Sequence, residues 1–263
     1  MSSSAAKQAP LTIFAAQALI EGALVPARIT LSDGLILAVE THPTDTSADV
    51  HLANGVLSPG FVDLQINGFN GVDFVDALPA EWAKARTQLA KRGVTSIMAA
   101  ITTAEIERQL DAVDAAVTMD VLLDKDASAS VLGFHLEGPF LSHRFRGAHP
   151  ESKLIAPAQL DTSRLIANQN VKIVTLAPEL PGALALTEAL AKAGKVVSIG
   201  HTAATADEAS AGVDAGAIMV THLYNAQTPL SHRAPGVVGI ALTAERLTSG
   251  IILDGIHVSV EAV

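Results

Sequence analysis

At 263 residues with 49% hydrophobic and 3% aromatic content, the chain can bury the core of one large domain with a small appendage, and it lacks the rings for a base-stacking nucleic-acid surface. A formal net charge of −10 opposes phosphate backbones and anionic bilayers, which excludes nucleic acid and membrane surfaces as expected partners. No cysteine occurs, so a metal must be held by His, Asp or Glu.

The opening "MSSSAAKQAP", residues 1–10, lacks the apolar stretch of a signal peptide and reads as a disordered tail. No apolar run is long enough to span a bilayer, and a cytoplasmic protein is expected. From residue 11 to 58, short apolar runs are separated by turn formers, and Ser32-Asp33-Gly34 between alternating segments marks a hairpin. This stretch predicts a small N-terminal β-sandwich module. After Pro59 the pattern changes to apolar strands alternating with Ala-rich helices, the signature of βα units around a parallel sheet. Candidate strands are 61–67, 95–101, 131–137, 171–177, 195–200, 217–222 and 250–254. The helical stretch "PAEWAKARTQLAKRG" begins with Pro79, suited to a first turn, and ends with Gly93, suited to a C-terminal cap. The fold class expected is α/β: a (β/α)8 TIM-type barrel over residues 59–263, incomplete with seven strands where eight close the ring. That stretch is also shorter than the usual length of about 250 residues. The final "HVSVEAV" falls within the seventh helix, so a C-terminally truncated sequence is expected.

Reactive groups in such barrels sit where strands end at the C-terminal edge. The first strand, within "GFVDLQINGFNG", alternates Val62, Leu64 and Ile66 with Asp63, Gln65 and Asn67, and so turns one polar face. That face suits either solvent or a polar site inside a barrel. The third strand ends in "GFHLEGPF" with Glu137 at its tip, the fifth in "VVSIGHTAAT" with His201 just past it, and the sixth in "MVTHLYNA" with His222 in the equivalent place. Taken singly, Glu137 could be a loop strap and each histidine a core residue bonded to backbone. Three strand ends carrying Glu, His and His form a set that suits one divalent metal with an open position.

Together "LSPGFVDLQINGFNGVDF", "HLEGPFLS", "VTLAPE", "SIGHTAAT", "THLYNAQTPL" and "IILDGIHV" resemble the N-acetylglucosamine-6-phosphate deacetylases of the amidohydrolase superfamily, over residues 58–258 and in the family's order. The resemblance implies metal-dependent hydrolysis of N-acetylglucosamine 6-phosphate to glucosamine 6-phosphate and acetate, in amino-sugar catabolism. Many amidohydrolases carry His-x-His at the end of the first barrel strand to hold a second metal. Here Gln65 and Asn67 stand at those positions, and neutral amides bind zinc poorly. The resemblance thus implies a one-metal site of Glu137, His201 and His222, holding zinc, with iron or another divalent ion as alternatives. It further implies a substrate shell. Ala148 and His149 contact the sugar, while Asn225 and Ala226 approach the phosphate. Arg233 pairs with the phosphate, since a guanidinium fork suits a dianion. His257 polarises the acetamide carbonyl beside the wall formed by Asp254 to Ile256. A homodimer is implied, with some of these groups reaching the adjacent subunit's site.

The family's proton-transfer aspartate, on an eighth strand, is expected beyond Val263, as is the segment completing the β module. This chain alone is therefore expected to be poorly folded and impaired, because losing such a group costs about 10²- to 10⁴-fold in rate. His42, His51, His143 and His232 are expected at the surface, and His135, two residues before Glu137, below the metal or orienting a ligand. Two other functions remain: another one-metal amidohydrolase acting on a different amide or cyclic imide, and an inactive sugar-phosphate-binding fragment.

Overall fold

A computed structural model describes residues 9–122 and 128–263. Residues 1–8, most of the expected tail, lie outside the described residues. The chain divides into two compact units, one ending at Gly60 and one running from Phe61 to Val263.

The first unit is a four-stranded sheet of β1 (Leu11–Ile20), β2 (Ala23–Ser32), β3 (Leu35–Thr41) and β4 (Val50–Leu52), in the order β3-β2-β1-β4. Both hairpins turn on two residues. Glu21-Gly22 and Asp33-Gly34 have φ of 49° and 83°, and of 51° and 77°, so both central positions are left-handed, as the turn that matches strand twist requires. The second of these is the hairpin expected at Ser32–Gly34. A sandwich needs a second sheet, and the described residues of this unit form a single mixed one, in which β4 runs parallel to β1. Its core is correspondingly slight: Ala15, Ala18 and Ala27, with Ile20, Leu52 and Leu57 packed against them.

The second unit is built on seven parallel strands: β5 (Phe61–Ile66), then, after the small hairpin of β6 (Gly68–Phe69) and β7 (Val72–Asp73), β8 (Val94–Ile101), β9 (Ser130–Glu137), β10 (Val171–Leu176), β11 (Val196–Ile199), β12 (Met219–Val220) and β13 (Thr248–Ser249). They lie side by side in chain order with no reversal, the order of a (β/α) barrel and not of a doubly wound sheet. Residues of β5 and of the segment after β13 line one cavity, so the sheet curls on itself. Helices α1 (Pro79–Ala90), α2 (Ile106–Thr118), α3 (Ser163–Ala167), α4 (Ala183–Lys192), α5 (Ala206–Asp214) and α6 (Gly236–Thr243) fill the connections. None among the described residues is long and apolar enough to cross a membrane.

Two predicted strands differ. Residues 217–222 contribute only Met219–Val220, and the strand expected at 250–254 is paired instead at Thr248–Ser249. The run Ile251-Ile252-Leu253 has strand composition. Its neighbour β12 leaves the ladder after two residues to carry the loop that holds His222, and Leu223 N donating to Gly250 O at 2.7 Å is the bond that follows.

The core fuses strands to helices through aromatic packing at α1. Trp82 lies flat on Phe74, with ring centroids 4.3 Å apart and planes 4° from parallel, and meets Phe134 of β9 edge-on at 6.3 Å. All three are buried. Trp82→Ala is therefore expected to destabilise this unit by about 3–5 kcal/mol. Chemical denaturation followed by circular dichroism checks this, and a loss below about 1 kcal/mol would show that the stack does not anchor α1.

Candidate metal centre

Glu137 ends β9 and is almost wholly buried, at 2% exposure. The chain leaves it through Gly138, whose φ of 83° is left-handed and where an added Cβ would lie 2.0 Å from Thr103 Oγ1. That hydroxyl donates to the Glu137 carbonyl at 2.9 Å, so the turn is closed by a group that only glycine can accommodate. His201 follows Gly200 at the end of β11, and His222 follows Thr221 at the end of β12. Both take positive φ, 47° and 31°, a conformation that costs a non-glycine residue free energy and turns each ring off its strand toward the barrel axis.

The rings are oriented by backbone carbonyls. His201 Nδ1 lies 2.9 Å from Phe145 O, and His222 Nδ1 lies 3.1 Å from Asn225 O. A carbonyl only accepts, so each Nδ1 carries the hydrogen and each Nε2 is left to bind something else. The two Nε2 atoms are 3.0 Å apart, and Glu137 Oε1 is 3.2 Å from one and 3.3 Å from the other. Three donor atoms thus lie within 4.8 Å of one another. Gln65, on the polar face of β5, donates Nε2–H to the same Glu137 oxygen at 2.7 Å. Two imidazole lone pairs and a carboxylate facing one point repel unless a proton or a cation stands between them. Two nitrogens and an oxygen, with carbonyls holding the far side of each ring, are the donors and the outer support of a divalent-metal site, so the residues fit such an ion.

Burial pushes the Glu137 carboxyl up, but whenever His201 or His222 carries a hydrogen on Nε2 the resulting bonds outweigh burial and hold the group well below the usual carboxylate range. His149 approaches the same carboxylate, Nε2 to Oε2 3.7 Å, with its ring edge-on to that of His201 at 4.5 Å. Burial pushes His149 down to about 4, so its imidazole is neutral near pH 7. His135 is fully buried beneath. Its Nδ1 donates to Leu64 O at 3.1 Å and its Nε2 accepts from Thr175 Oγ1 at 2.7 Å, so both nitrogens are used away from the three-residue cluster. Thr175, Thr221 and Ser198 continue a buried hydroxyl chain at 2.7 and 2.6 Å.

The cluster forms the floor of a cavity of about 920 Å³ whose walls include Gln65, Asn67, Ala148, Asn225, Ala226 and His257. Gly147 has a φ of 57°, and a Cβ there would meet the His201 ring at 3.4 Å. His257 is partly exposed and held from outside: Asp254 Oδ2 accepts its Nδ1–H at 2.6 Å, and Asp254 Oδ1 accepts the backbone N–H groups of Ile256 and His257 at 2.8 Å each. Those backbone bonds, with that of the ring, hold the Asp254 carboxyl down to about 2. Arg233 is not brought in. It is exposed on the loop 231–234 and is not among the residues lining the cavity. His42, His51, His143 and His232 are exposed. Sequence reasoning missed the carbonyls of Phe145 and Asn225, which carry no side-chain signal. It also missed Glu179, which lies just past the end of β10 and takes hydrogen bonds from Thr202 and Ala203.

No protein-family model matches the chain. Among curated proteins, the N-acetylglucosamine-6-phosphate deacetylase of Bos taurus is 40% identical over 215 residues, which cover 77% of this chain and 52% of that protein. An N-acetylgalactosamine-6-phosphate deacetylase of Escherichia coli O157:H7 is 35% identical over 249 residues, 90% of this chain and 62% of that one. The chain therefore spans about half to three fifths of the length of these curated relatives. Among solved structures, the N-acetyl-D-glucosamine-6-phosphate deacetylase of Mycobacterium smegmatis is 33% identical with a TM-score of 0.84, covering 95% of this chain and 70% of that one. A mutant of it, solved in complex with N-acetyl-D-glucosamine-6-phosphate, matches at a TM-score of 0.86 over 96% of this chain and 65% of that one.

Titrating chelator-treated protein with zinc is expected to show one equivalent bound, and His201→Ala or His222→Ala to abolish that binding. Binding that is indifferent to both substitutions would place the ion elsewhere.

Proposed function

The chain belongs to the N-acetylglucosamine-6-phosphate deacetylase family, and from that premise we propose that Glu137, His201 and His222 hold one divalent metal, zinc or iron, in a site that hydrolyses the acetamide of N-acetylglucosamine 6-phosphate. The products are glucosamine 6-phosphate and acetate. The observation that carries the reading is the meeting of the three donor atoms, from three different strand ends, on the floor of a cavity large enough for a phosphorylated hexosamine. The seven strands are read as those of a (β/α)8 barrel, with the site at their carboxyl ends.

The chemistry that a divalent cation supplies at such a position is Lewis-acid polarisation of the amide carbonyl and acidification of water. The chain's own residues bind, orient and stabilise charge. His149 is buried, neutral and beside the cluster, so it can donate a hydrogen bond to the oxygen that becomes negative in the tetrahedral transition state. The resemblance implied this role for His257. The geometry favours His149, because His257 is half-exposed and is tied to Asp254 by its Nδ1. His257 keeps Nε2 for the cavity it lines, and there it suits a polar substituent of the sugar phosphate. Gln65 donates to Glu137 Oε1, so the amide that replaces a histidine ligand on β5 steadies the single-metal arrangement. Ala148, Asn225 and Ala226 form the wall against which the sugar rests.

Arg233 is read as the phosphate partner of an adjacent subunit's site in a homodimer, since its loop is exposed and does not reach its own cavity. On this reading the protein acts in the cytoplasm on a small anion, and the net charge of −10 makes a focused cation necessary at the phosphate.

The zinc-loaded protein is expected to bind N-acetylglucosamine 6-phosphate at least about tenfold more tightly than unphosphorylated N-acetylglucosamine, a preference of about 1.4 kcal/mol. It is expected to release acetate from the former in a metal-dependent reaction. His149→Ala is expected to slow that release about 10²- to 10³-fold. Calorimetry and an acetate assay read both, with N-acetylgalactosamine 6-phosphate, the substrate type named for the Escherichia coli relative, as the epimer control. Faster turnover of a cyclic imide, or no preference for the phosphorylated sugar, would overturn the reading.

A further inference from the structure

The three donor residues do not hold themselves in place, since His201 and His222 both occupy left-handed backbone positions that must be enforced from outside. One polar support comes from a carboxylate that is hydrogen-bonded to neither ring. Glu179 lies in the loop after β10, half-buried, and its two oxygens grip the turn just past His201. Oε2 accepts from the fully buried Thr202 hydroxyl at 2.5 Å, and Oε1 accepts from the backbone N–H of Ala203 at 2.6 Å. The same Thr202 hydroxyl accepts from Ala204 N at 3.0 Å, so the carboxylate closes a small ring of bonds around residues 202–204.

Thr202 also reaches the other imidazole's loop. Its backbone N–H donates to Ala226 O at 3.1 Å, next to Asn225, whose carbonyl orients His222 Nδ1. Ser142 N donates to His201 O at 2.8 Å and completes the frame. One side chain in the loop after β10, a strand that supplies no ligand, is therefore bonded to the turn carrying His201 and, through a single peptide, to the turn carrying His222.

We propose that Glu179 is a positioning residue for the metal centre: its carboxylate clamps Thr202 and Ala203 and thereby sets the left-handed turns that aim His201 and His222 at one point. This rests on the reading of Glu137, His201 and His222 as ligands. Charge-assisted bonds of this length are among the stronger hydrogen bonds, and outer supports of metal ligands typically change affinity by about 10- to 100-fold.

The test is zinc affinity of the full chain, measured by competition with a chromophoric chelator, for wild type, Glu179→Ala, Glu179→Gln, Thr202→Val and His201→Ala. The visible spectrum of each cobalt-loaded form is recorded alongside. Glu179→Ala and Thr202→Val are expected to weaken zinc binding about 10- to 100-fold and to alter the cobalt spectrum at saturation. Glu179→Gln, whose amide can accept from Ala203 and donate to Thr202, is expected to recover most of the affinity. If Glu179→Ala unfolds the metal-free protein, Thr202→Val carries the same expectation through loss of one hydroxyl. Wild-type affinity and spectrum in Thr202→Val and in a folded Glu179→Ala would overturn the proposal, as would a loss that Glu179→Gln does not relieve. Those results, with His201→Ala abolishing binding, leave the ligand reading standing. Zinc affinity indifferent to His201→Ala would overturn the ligand reading and this one with it.

Discussion

Two imidazole nitrogens and a carboxylate oxygen directed at one buried point form the constraint around which this chain is organised. At 3.0 to 3.3 Å their mutual approach is that of hydrogen-bond partners, yet the protons that could make them so are assigned to the far sides of the rings by Phe145 O and Asn225 O. Such a cluster stores unfavourable electrostatics that a cation relieves, and the surrounding structure must resist its natural escape, rotation of the rings apart. The resistance lies in the backbone turns, which hydrogen bonds from neighbouring segments hold in place. The left-handed backbone at His201 and His222 fixes where each ring leaves the chain, and Gly138 and Gly200 clear the space beneath. A Cβ at Gly200 would lie 2.8 Å from both Thr175 and Thr221.

The layer below the cluster is polar in an otherwise aliphatic interior. His135, Thr175, Thr221 and Ser198 are all fully buried, and each has a partner in one chain of hydrogen bonds. With Nδ1 of His135 donating to Leu64 O, the chain runs in one sense only: Thr175 donates to His135, Thr221 to Thr175, and Ser198 to Thr221. This spans β9, β10, β11 and the residue just past β12, on four adjacent strands. A fully satisfied network of that kind pins the relative register of the strands that end in Glu137, His201 and His222, which sliding aliphatic contacts alone would do less sharply. The cost of burying a histidine is met by keeping it neutral, and burial indeed pushes His135 down.

What could be read in the sequence follows from this architecture. A polar residue just past an apolar strand stands out against its neighbours, so Glu137, His201 and His222 were visible as separate anomalies before anything showed that they meet. The alternation of Gln65 and Asn67 with apolar residues told which side of β5 is polar. Other features were invisible for physical reasons. A backbone carbonyl that orients a ring has no residue type, so the contributions of Phe145 and Asn225 could not be seen. Ile251-Ile252-Leu253 looks like a strand by composition, but pairing depends on a neighbour, and β12 supplies only two residues of ladder. Glu179 obeys the same strand-end rule as Glu137. It was passed over because it sits three residues past the last residue of β10, where a carboxylate reads as loop, and because its partners are a hydroxyl and an amide of a distant segment. Arg233 shows the converse, a residue marked by type and context that its own loop keeps at the surface, outside the cavity.

The position of the cluster within the sheet decides which property of this chain reports on it most directly. Glu137, His201 and His222 come from β9, β11 and β12, and β10 with its Glu179 strap lies between them, so the donors rest on strands that each have a neighbour on both sides. The sheet's outer members are different. Phe61 and Val62 of β5 are 67% and 53% exposed, and Ile251 and Leu253 after β13 are exposed as well. Unpaired apolar edges of this kind govern solubility and association. The cavity's walls draw on those margins, through Asn67 at one end and His257 at the other, whereas Glu137, His201 and His222 do not. The three-residue cluster therefore lies in the best-packed part of the fold, and the outer walls of the cavity in the part most sensitive to whatever lies against the edges. For that reason the cluster's geometry and the shape of the outer walls should be separable by experiment, except through Gln65, whose bond to Glu137 ties β5 to the cluster.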